Sequence, residues 1–378
     1  MARLRSFTSM AAFACAAATV AVPVATHAAS LYKVTPLVSD QSGVGKPDAN
    51  LQNGWGVAFN PTAFVWVADN GTGHATLYDG NGNVQSLVVD IPSPDSLTGG
   101  TPTGITFNAS NDFAVTDGTS SAPARFLFAT EDGVIAGWAP NVPNVPGVTS
   151  TQAFRAVTRA GAVYKGLAIA GDGTANRLYA ANFVNGTIDV YSNTFAPTAV
   201  PGGFTDRHLP SGFGPFNIMN IQGNLYVAYA KQTPGSNDET AGQGLGFVDV
   251  FDADGFLLKR LVTRGQLNAP WGMALAPAGF GQFSNRLLVG NFGDGTINAY
   301  DPVSGNFVGT MRADDGRPLV IDGLWGIAFG NGIDAQPTDT LFFAAGPGDE
   351  SQGLYGRIDV SASTGNGGGD DMNDDGGN

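Results

Sequence analysis

Two short phrases recur along this chain of 378 residues, and their recurrence restricts the fold more than any other property. The first pairs a large residue with glycine ahead of an apolar run: Trp55-Gly56-Val57, Thr103-Gly104-Ile105, Lys165-Gly166-Leu167, Trp271-Gly272-Met273 and Trp325-Gly326-Ile327, with Phe216-Asn217-Ile218 as a looser copy. The second begins at a glycine, alternates, and ends on an aromatic, as in GHATLY (Gly73–Tyr78), GTIDVY (Gly186–Tyr191) and GTINAY (Gly295–Tyr300). Its glycines stand at 73, 133, 186, 246 and 295, with a shortened copy at 356, spaced about 49 to 61 residues apart. Between the two phrases lies a third apolar element, such as FVWVADN (Phe64–Asn70) or RLLVGNF (Arg286–Phe292). Six units of strand, turn, strand, turn, strand follow, each with a weaker fourth strand such as Val84–Val89 or Phe256–Val262.

Four antiparallel strands in a unit of about 50 residues describe a propeller blade. The innermost strand of a blade is covered on both faces and therefore reads as a continuous apolar run, and glycine there lets neighbouring backbones approach. A linear stack of the same units is the competing architecture. Ring closure is favoured because the last unit ends after its third strand at Val360, while LYKVTPLVS (Leu31–Ser39) is a spare strand at the start. The expected fold is all-β: a six-bladed, NHL-like β-propeller whose ring is closed by the N-terminal strand Leu31–Val38. Abundant glycine, 54 residues, and a charged fraction of only 13% suit such a turn-rich β protein.

The domain limits follow from the ends of the repeat. Residues 1–28 carry Arg3 and Arg5, an apolar run and then small residues, the pattern of a secretory signal peptide cleaved after about Ala28, with a lipoprotein signal at Cys15 as the alternative. Residues 29–360 form the propeller. Residues 361–378 are a flexible acidic Gly/Asp tail, in which Asp371 to Gly376 match only the opening half of an EF-hand loop. Cys15 is the sole cysteine, so a cleaved chain forms no disulfide and offers no thiol. No later run reaches the length of a membrane helix. With 32 Asp and Glu against 18 Lys and Arg, the net charge of −14 repels phosphate backbones, and nucleic acid is an unfavourable partner. The expected location is periplasmic or extracellular, and the expected state a monomer.

The segments NLQNGWGVAFNP (Asn50–Pro61), VWVADNGTGHATLYDGNG (Val65–Gly82), LNAPWGMALAP (Leu267–Pro277) and FFAAGPGDESQGLYGRI (Phe342–Ile358) resemble a family of exported, uncharacterised bacterial propeller proteins similar to NHL-type repeat proteins. The resemblance spans nearly all of Leu31–Val360. Many members carry a C-terminal sorting signal with a Pro-Glu-Pro motif, which is missing here and which favours a freely released protein. The family brings no established reaction with it.

No nucleophile elbow, metalloprotease helix, phosphate loop or zinc spacing occurs. The repeat itself serves as the ruler for a site, because equivalent residues of six blades must ring the axis on one face. The first ring is Trp55, Thr103, Lys165, Phe216, Trp271 and Trp325. As a binding surface, Trp55, Lys165, Phe216, Trp271 and Trp325 would make an aromatic-lined cup for a flat ligand; as structure, the same rings are blade-to-blade packing and Lys165 is held by a salt bridge to Asp69, Glu131 or Asp349. The second ring reads Asp69, Thr130, Asn182, Lys231, Asn291 and Gly346, with Asn70, Glu131, Asp349 and Glu350 beside it. By analogy with six-bladed lactonases, Asp69, Glu131, Asn182 and Asn291 are candidate Ca²⁺ ligands, although Asn and Asp also populate turns for backbone reasons. The expected function is a binding module that recognises a small ligand, glycan or protein partner on this upper face. A calcium-dependent hydrolase or lyase of lactonase type, with Lys165 or His74 assisting, is the alternative, and a structural envelope or matrix protein the third.

Overall fold

A computed structural model describes residues 30–361. The leader read at residues 1–28 and the tail beyond Ser361 lie outside the described residues. Within them the chain is a ring of six antiparallel blades, as the repeat predicts, and its regular elements are strands apart from one short 3-10 turn, Gly281–Phe283.

Each blade runs from an inner strand outward. Blade 1 is Gly54–Phe59, Val65–Asp69, His74–Tyr78 and the two-residue Val89–Asp90, and blade 5 repeats the pattern with Pro270–Leu275, Leu287–Asn291, Ile297–Tyr300 and Phe307–Thr310. Blade 2 (inner strand Pro102–Phe107) carries an extra hairpin, Ala114–Thr116 with Ser121–Pro123. Blade 3 (inner strand Tyr164–Gly171) has three strands only, so the expected fourth is replaced by the irregular stretch after Ser192. Blade 4 (inner strand Phe213–Ile221) adds Glu239–Thr240 beside the upper end of its second strand.

Blade 6 closes the circle. Its own strands are Leu324–Phe329, Leu341–Ala345 and Leu354–Val360, and Tyr32–Ser39 pairs antiparallel with the last of these, Tyr32 opposite Val360 and Ser39 opposite Leu354. The sixth copy of the glycine phrase therefore starts at Gly353, three residues before the Gly356 expected from the sequence. The last blade also packs on the first: a methyl group on Gly326 would stand 2.4 Å from the Trp55 carbonyl oxygen. The same approach joins blade 1 to 2 (Gly56 to Thr103 O, 2.6 Å) and blade 5 to 6 (Gly272 to Trp325 O, 2.5 Å). At these three contacts the spacing leaves no room for a Cβ, which is why glycine stands there. In blade 4 Asn217 takes that place and donates its side-chain amide to the Trp271 carbonyl at 2.8 Å.

Six apolar clusters fill the six wedges between blades, and a seventh lies on the axis. At roughly 1.5–3 kcal/mol per large side chain buried, these wedges hold the ring without a disulfide.

Candidate functional site

The axis is plugged by its own aromatic residues. Trp55, Phe216, Trp271 and Trp325 from four inner strands meet there with Phe183 and Phe292, and each of the four is 4% exposed or less. Trp55 stacks on Trp325 with ring centroids 3.5 Å apart, Phe292 stacks on the other side at 3.9 Å, and Trp271 meets both tryptophans edge-on. The Trp271 indole N–H crosses the axis to the carbonyl of Lys165 at 2.9 Å. The aromatic-cup reading of Trp55, Phe216, Trp271 and Trp325 is thus corrected: the rings spend their faces on one another, leaving none for a ligand to stack on. Below the plug, between Gly56, Leu167, Met219 and Ile327, the channel has about 30 Å³, room for water but not for a sugar.

Above the plug the chemistry changes. Lys165 replaces the tryptophan of its phrase and is 2% exposed. Its ammonium lies 4.9 Å from the Trp55 ring centroid and 2.7 Å from Glu131 Oε1, so an ion pair and an aromatic face compensate its burial. Of the three partners expected for Lys165, Glu131 is the one used. Glu131 Oε2 accepts from the Asn70 side-chain amide (2.9 Å), Asn53 reaches Asn70 (3.4 Å) and Glu350 Oε2 (2.7 Å), and the Trp325 indole donates to Asn53 (3.2 Å). Glu239 completes the group from the inserted strand of blade 4. Burial raises its carboxyl to about 7 against the pull of Lys165, and burial likewise raises Glu350 above the ordinary carboxylate range. Glu131 thus pairs directly with Lys165, while Glu239 and Glu350, from blades 4 and 6, lie close enough at the mouth to feel its charge.

Sequence reasoning located Lys165, Glu131, Asn70 and Glu350 at this face but missed Asn53 and Glu239. The usable signal for Glu239 is length: Thr233–Leu245 lies between the second and third strands of blade 4, where blade 1 has only four residues, Asn70–Gly73.

The second ring does not line the axis. Strand pairing places Tyr229 and Ala345, in place of Lys231 and Gly346, level with Asp69, Thr130, Asn182 and Asn291. These positions face the wedge toward the preceding blade. The Asn182 amide donates to Asp189 (2.9 Å), and the Asn291 amide to the Gln266 carbonyl (2.8 Å). Glu131 is committed to Lys165, and Asp69 lies in the wedge between blades 6 and 1. The four Ca²⁺ ligands expected from the lactonase analogy therefore do not converge, because the strand-end carboxylates and amides point sideways between blades. Among the described residues no three His, Cys, Asp or Glu side chains group to hold a metal ion. His74, the other catalytic candidate, sits 3.2 Å from Asp90 on the neighbouring strand and shares no partner with Lys165.

No family model matches the chain. An uncharacterised protein of Acanthamoeba polyphaga mimivirus is 35% identical over 341 residues, covering 88% of this chain and 81% of its own, and a second is 33% identical over 340 residues, covering 88% and 87%. The chain belongs to the family of these mimivirus proteins. Both of these relatives are viral, whereas the sequence resemblance pointed to bacterial ones. Among solved structures it is similar to a Bacteroides thetaiotaomicron protein of unknown function (14% identity, TM-score 0.52, 88% of this chain and 76% of that one). It is also similar to the soluble aldose sugar dehydrogenase of Escherichia coli (13%, 0.51, 87% and 100%) and to virginiamycin B lyase of Staphylococcus aureus (13%, 0.50, 87% and 100%). Identities this low establish the propeller fold and nothing about chemistry.

Proposed function

We propose that this family member is a non-catalytic binding module that takes a positively charged group, an ammonium or guanidinium of a small ligand or protein partner, at the upper mouth of its ring. One observation carries the reading: over a closed aromatic floor the buried Lys165 pairs with Glu131 at 2.7 Å, in a network that runs through Asn70 and Asn53 to Glu350, and its charge also bears on Glu239. The site holds a carboxylate excess on a scaffold of net charge −14, which attracts cations and focuses them at the mouth. Nothing beside Lys165 has the geometry of a nucleophile with its base. The signal-like pattern of residues 1–28 supports an exported module acting outside the cytoplasm.

A thermal-shift and calorimetry panel tests this with matched amines, guanidines, neutral glycans and carboxylates. Amines or guanidines should raise the midpoint, by the equivalent of about 2.7 kcal/mol at a hundredfold excess over Kd, and Glu350→Gln should weaken them. Binding of neutral or anionic compounds alone, or no binding at all, would overturn the proposal.

A further inference from the structure

The wedge between blades 6 and 1 contains a buried carboxylate for which the protein supplies no counter-charge. Asp69 is fully buried, and no hydrogen bond of ordinary geometry reaches either of its oxygens; the nearest donors are the hydroxyl and backbone N–H of Thr76, itself 1% exposed. A second carboxylate adjoins: Asp48, 7% exposed, accepts the Tyr78 hydroxyl at 3.0 Å, and the charges of Asp48 and Asp69 both bear on Tyr78. Burial, opposed by Thr76 and reinforced by the charge of Asp48, pushes the Asp69 carboxyl well above its ordinary range. The surroundings are otherwise apolar, formed by Val65, Val67, Leu51, Tyr78, Phe342 and Tyr355.

The repeat supplies an internal control. In the corresponding wedge of blade 3, Asp189 meets the Arg159 guanidinium (2.9 Å), the Tyr164 hydroxyl (2.9 Å) and the Asn182 amide (2.9 Å). In blade 4, Asp249 has Arg260 at 3.2 Å. Both buried carboxylates are answered by an arginine of the same chain. The wedge between blades 6 and 1 has two carboxylates, Asp48 and Asp69, and no arginine pairs with either. An ionised carboxylate in such a place needs a cation.

We propose that Asp69, Asp48, Thr76 and Tyr78 bind one hard divalent cation of the Ca²⁺ class, which fastens the N-terminal closing blade to blade 1. Two carboxylates balance its charge, and the hydroxyls are neutral oxygen ligands of the kind it accepts. This site is a structural staple in the last wedge of the ring. It is separate from the upper mouth and does not depend on the reading given there.

The test uses the full chain, stripped by chelator and dialysed against Ca²⁺, with metal content measured by mass spectrometry and the unfolding midpoint followed in Ca²⁺ and in chelator. The wild type should retain close to one equivalent and melt higher with Ca²⁺. Asp69→Asn and, independently, Asp48→Asn should each lose the ion and the chelator sensitivity, while Glu350→Gln at the mouth keeps both. A wild type that keeps no stoichiometric ion and melts alike in Ca²⁺ and chelator would overturn the site, leaving Asp69 simply protonated. So would loss of the ion in Glu350→Gln with retention in Asp69→Asn.

Discussion

The Lys165–Glu131 pair should respond asymmetrically to losing either partner. Glu131→Gln leaves an ammonium that is 2% exposed and enclosed by Trp55, Phe183 and Phe216, with its nearest counter-charge gone. Stranding a charge so deeply costs about 3–5 kcal/mol. Lys165→Met leaves a carboxylate whose side chain is 24% exposed and still held by Asn70 at 2.9 Å, while methionine fills the aromatic cage; that change should cost only about 1–2 kcal/mol. The double variant has no stranded charge and should be more stable than Glu131→Gln alone, so the cycle should show a coupling of roughly 1–3 kcal/mol. Urea unfolding of all four proteins at pH 7, with slopes compared, supplies the numbers. Equal losses from the two single variants, or a loss below about 1 kcal/mol for Glu131→Gln, would refute the reasoning, since Glu239 and Glu350 would then be carrying the lysine's charge.

Two further outcomes follow from the geometry. Gly326→Ala places a methyl 2.4 Å from the Trp55 carbonyl where blade 6 meets blade 1, and unfolding should show a loss of about 1–3 kcal/mol or more; a change within about 0.5 kcal/mol would contradict the close approach. Glu239, raised to about 7 in the folded chain from an ordinary value near 4.5, favours folding most when both states are protonated, so its contribution fades as pH rises from about 4.5 through 7. Over the upper part of that window the mouth gains negative charge and should bind amines more tightly; titration calorimetry at pH 6 and 8 should show the gain in the wild type and its loss in Glu239→Gln.

Six blades, their order and the closing strand were legible because they rest on periodicity, which survives drift in individual side chains. The level of each residue within a blade was less so. Pro215 pairs with Tyr229 as Gly54 pairs with Asp69, so Tyr229 and not Lys231 is the counterpart of Asp69; the second strand of blade 4 runs on past that level to Gln232. In the last blade Leu324 pairs with Ala345 and Ala345 with Leu354, so the counterparts are Ala345 and Gly353 and not Gly346 and Gly356. Facing direction was the harder question. Residues alternate along a strand, so a ring of equivalent positions either lines the axis or fills the wedges, and sequence spacing does not distinguish the two for Asp69, Asn182 and Asn291. The tryptophans were placed correctly at the axis, but whether their faces meet a ligand or each other depends on rotamers that a repeat does not record.

Where the blades differ from one another is more informative than where they agree. Agreement is required by packing: glycine for backbone approach, large apolar residues for the wedges, aromatics for the plug. Packing alone favours a hydrophobic residue at the place of Lys165, a short turn at the place of Thr233–Leu245, and no carboxylate at Glu350. All three departures come together at one end of one axis, although blades 3, 4 and 6 supply them from positions far apart in the chain. A buried ammonium and partly buried carboxylates are each unfavourable to a fold already stabilised by apolar wedges. Three such departures with a purely structural origin would be expected to scatter around the ring, and their meeting at a single mouth is the strongest support for the proposal that this end of the propeller binds a ligand.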